Sequence, residues 1–329
     1  MVKKIIIGVL AIIVILFLFL FVGKTSPKDN ISWGTTYSLK YAEDLDLDWQ
    51  ETYLAIIEDL GFKKIRIPFY WDVIEENEGD YNFDYIDWMF DKALENDVEI
   101  IPVIGIKVPR WPECHVPYWA RDLSKEQQQE KILKLIEETV LKYKNHPTIS
   151  YWQIENEPFL NFGDCPWYDK DFLLDEIDLV RSLDPETPIL ISESGELSTW
   201  FPAARVADIV GTTMYFQTWW HRAGGFYFRY PIPAVHYHRK ALLVDKIFNK
   251  EVICVELQAE PWGPAPTYVI SLEEQEKSMN IDKFRNNIEY AKRTGLPEFY
   301  LWGSEWWYWM KTKHNQPEFW EEVRKIINE

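Results

Sequence analysis

Eight short β-rich runs, each followed by a longer stretch of helical period, occupy this chain from residue 31 to its end. That alternation restricts the architecture more than any other feature. The runs lie near residues 31–37, 63–68, 98–104, 148–155, 188–192, 208–214, 251–256 and 298–302. Strands alternating with helices pair in parallel and bury both faces of their sheet, and eight such units suit a closed barrel. Helix starts agree with the count: Asp48 with Glu51, Ser124 with Gln127 and Ser271 with Glu274 have capping-box spacing. An open doubly wound sheet usually carries a glycine-rich phosphate turn after an early strand, and ISWGTTYSLK has none. The expected fold is therefore α/β, a single (β/α)8 TIM barrel over residues 30–329.

The segment before the barrel has a different character. IIIGVLAIIVILFLFLFV, residues 5–22, is uncharged and long enough to cross a bilayer as a helix. It lacks the short apolar region and small-residue cleavage site of a signal peptide. Residues 1–22 are thus expected to form an N-terminal transmembrane anchor, with 23–29 as a linker and the barrel outside the cytoplasm. Lys3 and Lys4 before the span and Lys24 and Lys28 after it nearly balance, so charge sets orientation only weakly. The GKT at 23–25 is no phosphate loop, since Leu18 stands where the first glycine would be.

A net charge of -18 disfavours nucleic acid and anionic surfaces and leaves a neutral partner as the easier one. The 17 tryptophans fall often in segments that read as loops, including Trp111, Trp119, Trp167, Trp219, Trp220, Trp262, Trp306 and Trp307. Flat rings there suit stacking on sugar faces, or packing of long loops onto a scaffold.

Barrel enzymes place their chemistry where strands end. In YWQIENEPF, residues 151–159, Glu157 sits at such an end. Glu155 precedes it by two residues, about 6–7 Å deeper along a strand, and reads as a buried carboxylate bonded to a neighbour such as an inward Arg. In EVICVELQAEPW, residues 251–262, alternation puts Val252, Cys254 and Glu256 on one face and Ile253, Val255 and Leu257 on the other. The branched set suits the layer under the helices, so Glu256 is expected to point inward. Glu260, just before Pro261, reads as a loop residue and is the weaker candidate. Two carboxylates approaching from the fourth and seventh strands are the machinery of glycoside hydrolysis.

With those residues in place, the region from about 31 to 329 resembles the clan A glycoside hydrolases, barrels with an Asn-Glu-Pro acid/base motif on strand four and a nucleophilic Glu on strand seven. YKNHPTISYWQIENEP is similar to the approach to the clan's acid/base, and residues 63–105 look like its second and third units. The resemblance implies Glu157 as acid/base, Glu256 as nucleophile and Asn156 as the residue bonding the sugar 2-hydroxyl. It also implies that Arg66 and Tyr215 hold the nucleophile ionised and that Trp302 lies beneath the sugar. The chain departs from the clan at VELQAEPW, where a Glu followed closely by Gly is more usual.

The function expected is a retaining glycosidase acting on β-linked glycans or oligosaccharides. A transglycosylase would share the covalent intermediate, and a membrane-tethered carbohydrate-binding protein would have no need of an activated pair. The aromatic segment from Phe216 to Ala234 is the expected specificity element. No cofactor or metal is implied: CxxC and HExxH are absent, and His236 and His238 open a helix and do not sit on a first strand. Glu193 and Glu196 suit a subsite, a solvated position or a helix cap. Asn30-Ile-Ser32 is a glycosylation sequon. Cys114 and Cys165, in neighbouring rim loops, are placed to bond in an oxidising compartment, while Cys254 stays free.

Overall fold

A computed structural model describes residues 2–221 and 224–328, residues 2–5 as backbone alone. Eight parallel strands close into a barrel: β1 (Ser32–Thr36), β2 (Lys64–Pro68), β3 (Glu99–Ile104), β4 (Trp152–Ile154), β5 (Ile189–Glu193), β6 (Ile209–Met214), β9 (Glu251–Gln258) and β10 (Glu298–Trp302). Between β6 and β9 the chain inserts an antiparallel hairpin, β7 (Gln217–Trp220) and β8 (Phe226–Arg229). This hairpin falls in the segment read from sequence as an aromatic loop. Its cross-strand ring contacts, Trp219 with its partner Tyr227 and Trp220 with the diagonal Phe228, support the pairing. Residues 222 and 223 of that segment lie outside the described residues.

The expected strands agree with the observed ones within a residue or two, except that β4 is only three residues long. The helix starts also behave as their spacing implies. Ser124 and Gln127 form a reciprocal capping box, and the Asp48 and Ser271 side chains accept from the backbone N–H of Glu51 and Glu274. Inside the barrel, Ile101, Leu190, Ile253, Val255 and Tyr300 form a small packed cluster, while the larger apolar core lies between strands and helices. Gly34 faces the Tyr300 ring so closely that a Cβ there would collide with it.

The chain is helical over Val2–Phe21, but the expected membrane-crossing helix at 5–22 is not found: among the described residues no helix is long and apolar enough to cross a membrane. The described side chains of this helix begin at Ile6, and at about 1.5 Å per residue the stretch to Phe21 rises about 24 Å against a hydrocarbon layer of about 30 Å. Side chains 1–5, with the first residue of the expected span, lie outside the described residues. The helix end is docked on the barrel, where Arg239 donates to the carbonyls of Leu18 and Val22 and Phe21 stacks on His236.

Candidate active site

The interior of the barrel carries polar side chains toward its C-terminal rim. Arg66 of β2, fully buried, organises them. Its Nη1 donates to Glu256 Oε1 at 2.8 Å, its Nη2 to Asn156 Oδ1 at 2.8 Å and its Nε to Gln153 Oε1 at 2.7 Å. The second oxygen of Glu256 accepts from the Tyr215 hydroxyl at 2.7 Å. Burial, then the charge of Glu256, hold the Tyr215 phenol well above its ordinary range, so it stays a donor. Glu256 therefore has a cation on one oxygen and a phenol on the other, and both interactions stabilise negative charge.

Glu256 points inward for a reason other than simple alternation. Ile253 and Val255 belong to the cluster inside the barrel, whereas Val252, Cys254 and Leu257 pack in the outer core. From Val252 to Val255 the two faces are thus the reverse of the sequence expectation, while Glu256 and Leu257 face as expected. Between Thr212 and Thr213 the β6 register jumps from Cys254 to Glu256, which marks a bulge that leaves Val255 extra. The bulge turns Glu256 to the same side as Val255.

Glu157 has a different setting. Its Oε1 accepts from Thr213 Oγ1 at 3.2 Å, and among the described residues no cationic side chain bonds its carboxyl. Burial first, then the charge of Glu256, push its pKa up to about 8. Lys107 bonds instead to the Glu157 and Leu160 carbonyls. Glu157 and Glu155 both sit at positive φ, 44° and 57°, a backbone conformation that side chains other than glycine adopt only when held. The holding contacts are the Glu157 N–H to Ser192 Oγ, the Asn156 N–H to the Lys107 carbonyl and the Glu155 N–H to the Ile104 carbonyl.

That backbone twist also corrects the expected place of Glu155. It is the buried, hydrogen-bonded carboxylate expected, but it does not point into the barrel and its partners are not an Arg. Its two oxygens accept from the N–H groups of Ile106 and Lys107, and it is hydrogen-bonded to Glu176 of the helix Phe172–Leu183. The inward residue on β4 is Gln153. Gly105, at φ 123°, leaves the space that the Glu155 carboxyl fills.

Trp302 stands slightly apart from the other expected site residues. The Arg110 guanidinium lies 4.0 Å from its ring centre and 3.8 Å from that of Tyr41. Arg110 is ion-paired with both Glu260 and Glu305. Glu260 is thus bound into a buried charge cluster and is not a free loop carboxylate.

Three further groups escaped the sequence reading or were left open by it. Glu113 accepts from Asn156 Nδ2 at 2.9 Å, and burial pushes its pKa up to about 7. Glu196 accepts from the Tyr215 N–H and the Tyr237 hydroxyl, which fixes the strand end that carries Tyr215. Glu193 accepts from the Ala203 N–H in the first turn of the helix Phe201–Val206, the helix-capping alternative. Cys114 and Cys165 are disulfide-bonded and Cys254 is free and buried. Beside the catalytic loops lies a cavity of about 660 Å³ lined by Lys40, Asp72, Trp111, His115, Arg121 and Asp164 among others. Trp111, 67% exposed, contacts Phe162, which meets Trp262, and Trp262 in turn packs edge-on against Tyr215. His236 and His238 are engaged by Phe21 and the Thr294 carbonyl, and among the described residues no group could hold a metal ion.

The profile of the cellulase family, glycosyl hydrolase family 5, matches residues 28–306. The chain belongs to glycosyl hydrolase family 5. Its barrel is of the kind found in clan A glycoside hydrolases. Among curated proteins none matches its sequence. Solved structures similar in fold include a glycosylated family 10 endo-β-1,4-xylanase from Gloeophyllum trabeum, 15% identical with a TM-score of 0.60, covering 91% of this chain and 97% of that one. A GH5_18 protein from Streptomyces cattleya in complex with GlcNAc is 16% identical with a TM-score of 0.54, at 85% and 71% coverage. A β-galactosidase from Rahnella sp. R3 is 12% identical with a TM-score of 0.55, at 85% and 52% coverage. The family 5 chain spans about half the length of the β-galactosidases it resembles.

Proposed function

We propose that this family 5 protein is a retaining glycoside hydrolase acting on β-linked glycans or oligosaccharides, with Glu157 as acid/base and Glu256 as nucleophile. The observation that carries this reading is the contrast between the two carboxyls. Glu256 is bonded to Arg66 and Tyr215, whereas Glu157 has only a hydroxyl partner and a pKa pushed up to about 8. One is arranged to hold negative charge and the other to hold a proton at neutral pH.

In the first step a Glu256 oxygen forms a bond to the anomeric carbon while the bond to the leaving oxygen breaks, and that oxygen takes the proton of Glu157. The charge of Glu256 is spent in the ester, which removes a main cause of the raised pKa of Glu157. Glu157, now a carboxylate, takes a proton from water as the water oxygen attacks the anomeric carbon. The ester bond breaks and Glu256 recovers its charge and its hydrogen bonds.

The names of the similar structures, β-galactosidase and endo-β-1,4-xylanase, support a β-linked substrate. The cavity beside Trp111 and the aromatic hairpin support an oligosaccharide over a small glycoside. The Cys114–Cys165 bond supports work outside the cytoplasm. A binding protein without turnover would gain nothing from two oppositely tuned carboxyls.

The direct test is to trap the intermediate with a 2-fluoro glycoside of an activated leaving group and map the labelled peptide. Label on Glu256 is expected. Label on Glu260, or an inverted product from the unmutated enzyme, would overturn the assignment or the mechanism respectively.

A further inference from the structure

The hydrogen-bond inventory of Asn156 is nearly complete before any substrate arrives. Its Oδ1 accepts from Arg66 Nη2 at 2.8 Å and from Ser192 Oγ at 3.3 Å, which uses both acceptor directions of an amide oxygen. One of its two Nδ2 hydrogens goes to Glu113 Oε2 at 2.9 Å. A single N–H remains.

The amide is also locked against rotation. Turning it by 180° would set Nδ2 against the Arg66 guanidinium, donor against donor, and Oδ1 against the Glu113 carboxyl, acceptor against acceptor whenever Glu113 is ionised. Arg66 defends one end and Glu113 the other. Both are buried, Arg66 at 0% and Glu113 at 7% exposure, so water competes poorly for either bond.

Glu113 is held in place by its own loop. Its N–H donates to the Arg110 carbonyl, its carbonyl accepts from Val108 N–H, and the next residue is Cys114, tied to Cys165. It has positive φ, 74°, and Gly163 of the facing loop packs so close that a Cβ there would strike the Glu113 Cβ. A carboxyl on a surface loop needs none of this support. The restraint makes sense if the orientation of the group it bonds matters.

We propose that Glu113 is a positioning residue for the sugar ring: it acts through Asn156, fixing the amide so that one N–H faces the substrate's 2-position. The proposal rests on the retaining glycosidase reading above. With only a donor left, Asn156 can engage a substituent that accepts, and a hydroxyl can accept there while donating to the nucleophile. Hydrogen bonds at the 2-hydroxyl strengthen as the anomeric carbon becomes cationic, so losing the orientation should cost turnover more than ground-state affinity.

The test pairs a variant with a trimmed substrate. Glu113→Ala and Glu113→Gln are compared with the unmutated enzyme on an activated aryl β-glycoside and on its 2-deoxy counterpart, each at its own pH optimum. On the 2-hydroxy substrate Glu113→Ala should lower kcat on the order of 10- to 100-fold with KM changed less than about 3-fold. Glu113→Gln, whose side-chain oxygen still accepts from Asn156, should recover most of that loss. On the 2-deoxy substrate the Glu113→Ala penalty should shrink to less than about 3-fold, because the group it serves is gone. An equal penalty on both substrates overturns the proposal and assigns Glu113 a purely structural role, as does a loss confined to KM. If the unmutated enzyme cleaves no glycoside of either kind, the glycosidase reading itself fails, an outcome distinct from either.

Discussion

Replacing Glu157 by Gln should make the protein more stable at alkaline pH while removing the acid that the proposed mechanism uses. Folded Glu157 has its pKa raised from 4.5 to about 8, chiefly by burial and then by Glu256. Between those values the folded protein holds a proton that the unfolded chain has released, so stability falls as pH rises through the window. The contribution is fully present below about 4.5 and gone above about 8. At about 1.4 kcal/mol per pH unit, the interval of about 3.5 units sets a ceiling near 5 kcal/mol. Glu113 and Glu196, whose own pKa values are raised, contribute to that push and titrate with it, which brings the expected difference to about 1–3 kcal/mol. Glutamine has no charge to bury and should escape the loss. Urea denaturation of both proteins at pH 5 and pH 9 gives the quantity wanted, the change in their stability difference between the two pH values. Effects of the substitution that do not depend on pH, such as an altered bond to Thr213, cancel in that comparison. A difference that stays constant from pH 5 to pH 9 would refute the claim that Glu157 is held protonated by its surroundings.

Arg66→Met should destabilise the fold by about 3–5 kcal/mol, since it leaves Glu256 buried without its cation; thermal denaturation should show a Tm lower by on the order of 10 °C. The Cys114–Cys165 bond closes a separation of 51 residues, so the double Ser variant should lose about 4 kcal/mol in urea unfolding. Glu260→Gln should change KM and stability but leave a measurable kcat, because Glu260 serves Arg110; loss of turnover equal to that of Glu256→Gln would contradict this division of roles.

Most of the barrel was legible because its signal is periodic and repeated. Each strand recurs as an apolar run before a helical pattern, and single errors are absorbed by the count. The site was legible where chemistry is written into adjacent residues, as in Asn156-Glu157, or where a resemblance supplied partners, as for Arg66 and Tyr215. Local backbone deviations were not legible. Glu256 reaches the interior through a bulge, with the faces of β9 before it reversed from the alternation argument, and Glu155 leaves it because its φ is positive. A pattern of period two has no symbol for either event. Glu113 and Glu196 lie in loops, where position depends on closure by distant segments; the one available hint was Cys114, whose bond to Cys165 brings the Glu113 loop against the strand end bearing Asn156. The hairpin of β7 and β8 was hidden by its own aromatic richness, which reads equally well as a sugar-binding loop.

The charges at the rim form one balance. Glu113, Glu155, Glu157, Glu256, Glu260 and Glu305 are all buried there, and the buried cations among them are Arg66, Lys107 and Arg110. Arg66 is committed to Glu256, and Arg110 to Glu260 and Glu305. Lys107 spends its side-chain bonds on carbonyls and offers the remaining carboxyls only its field. Unpaired charge is too costly to keep inside, so carboxyls lacking a cation must retain protons toward neutral pH. The raised pKa values of Glu157, Glu113 and Glu155 have that common origin, with burial the largest cause of each. The allocation of Arg66 thus separates the two carboxyls on which the proposed mechanism rests: Glu256 has the cation, and among the described residues Glu157 has none on its carboxyl. In that proposal an acid and a nucleophile of the same residue type are distinguished by which of them the single arginine of β2 reaches.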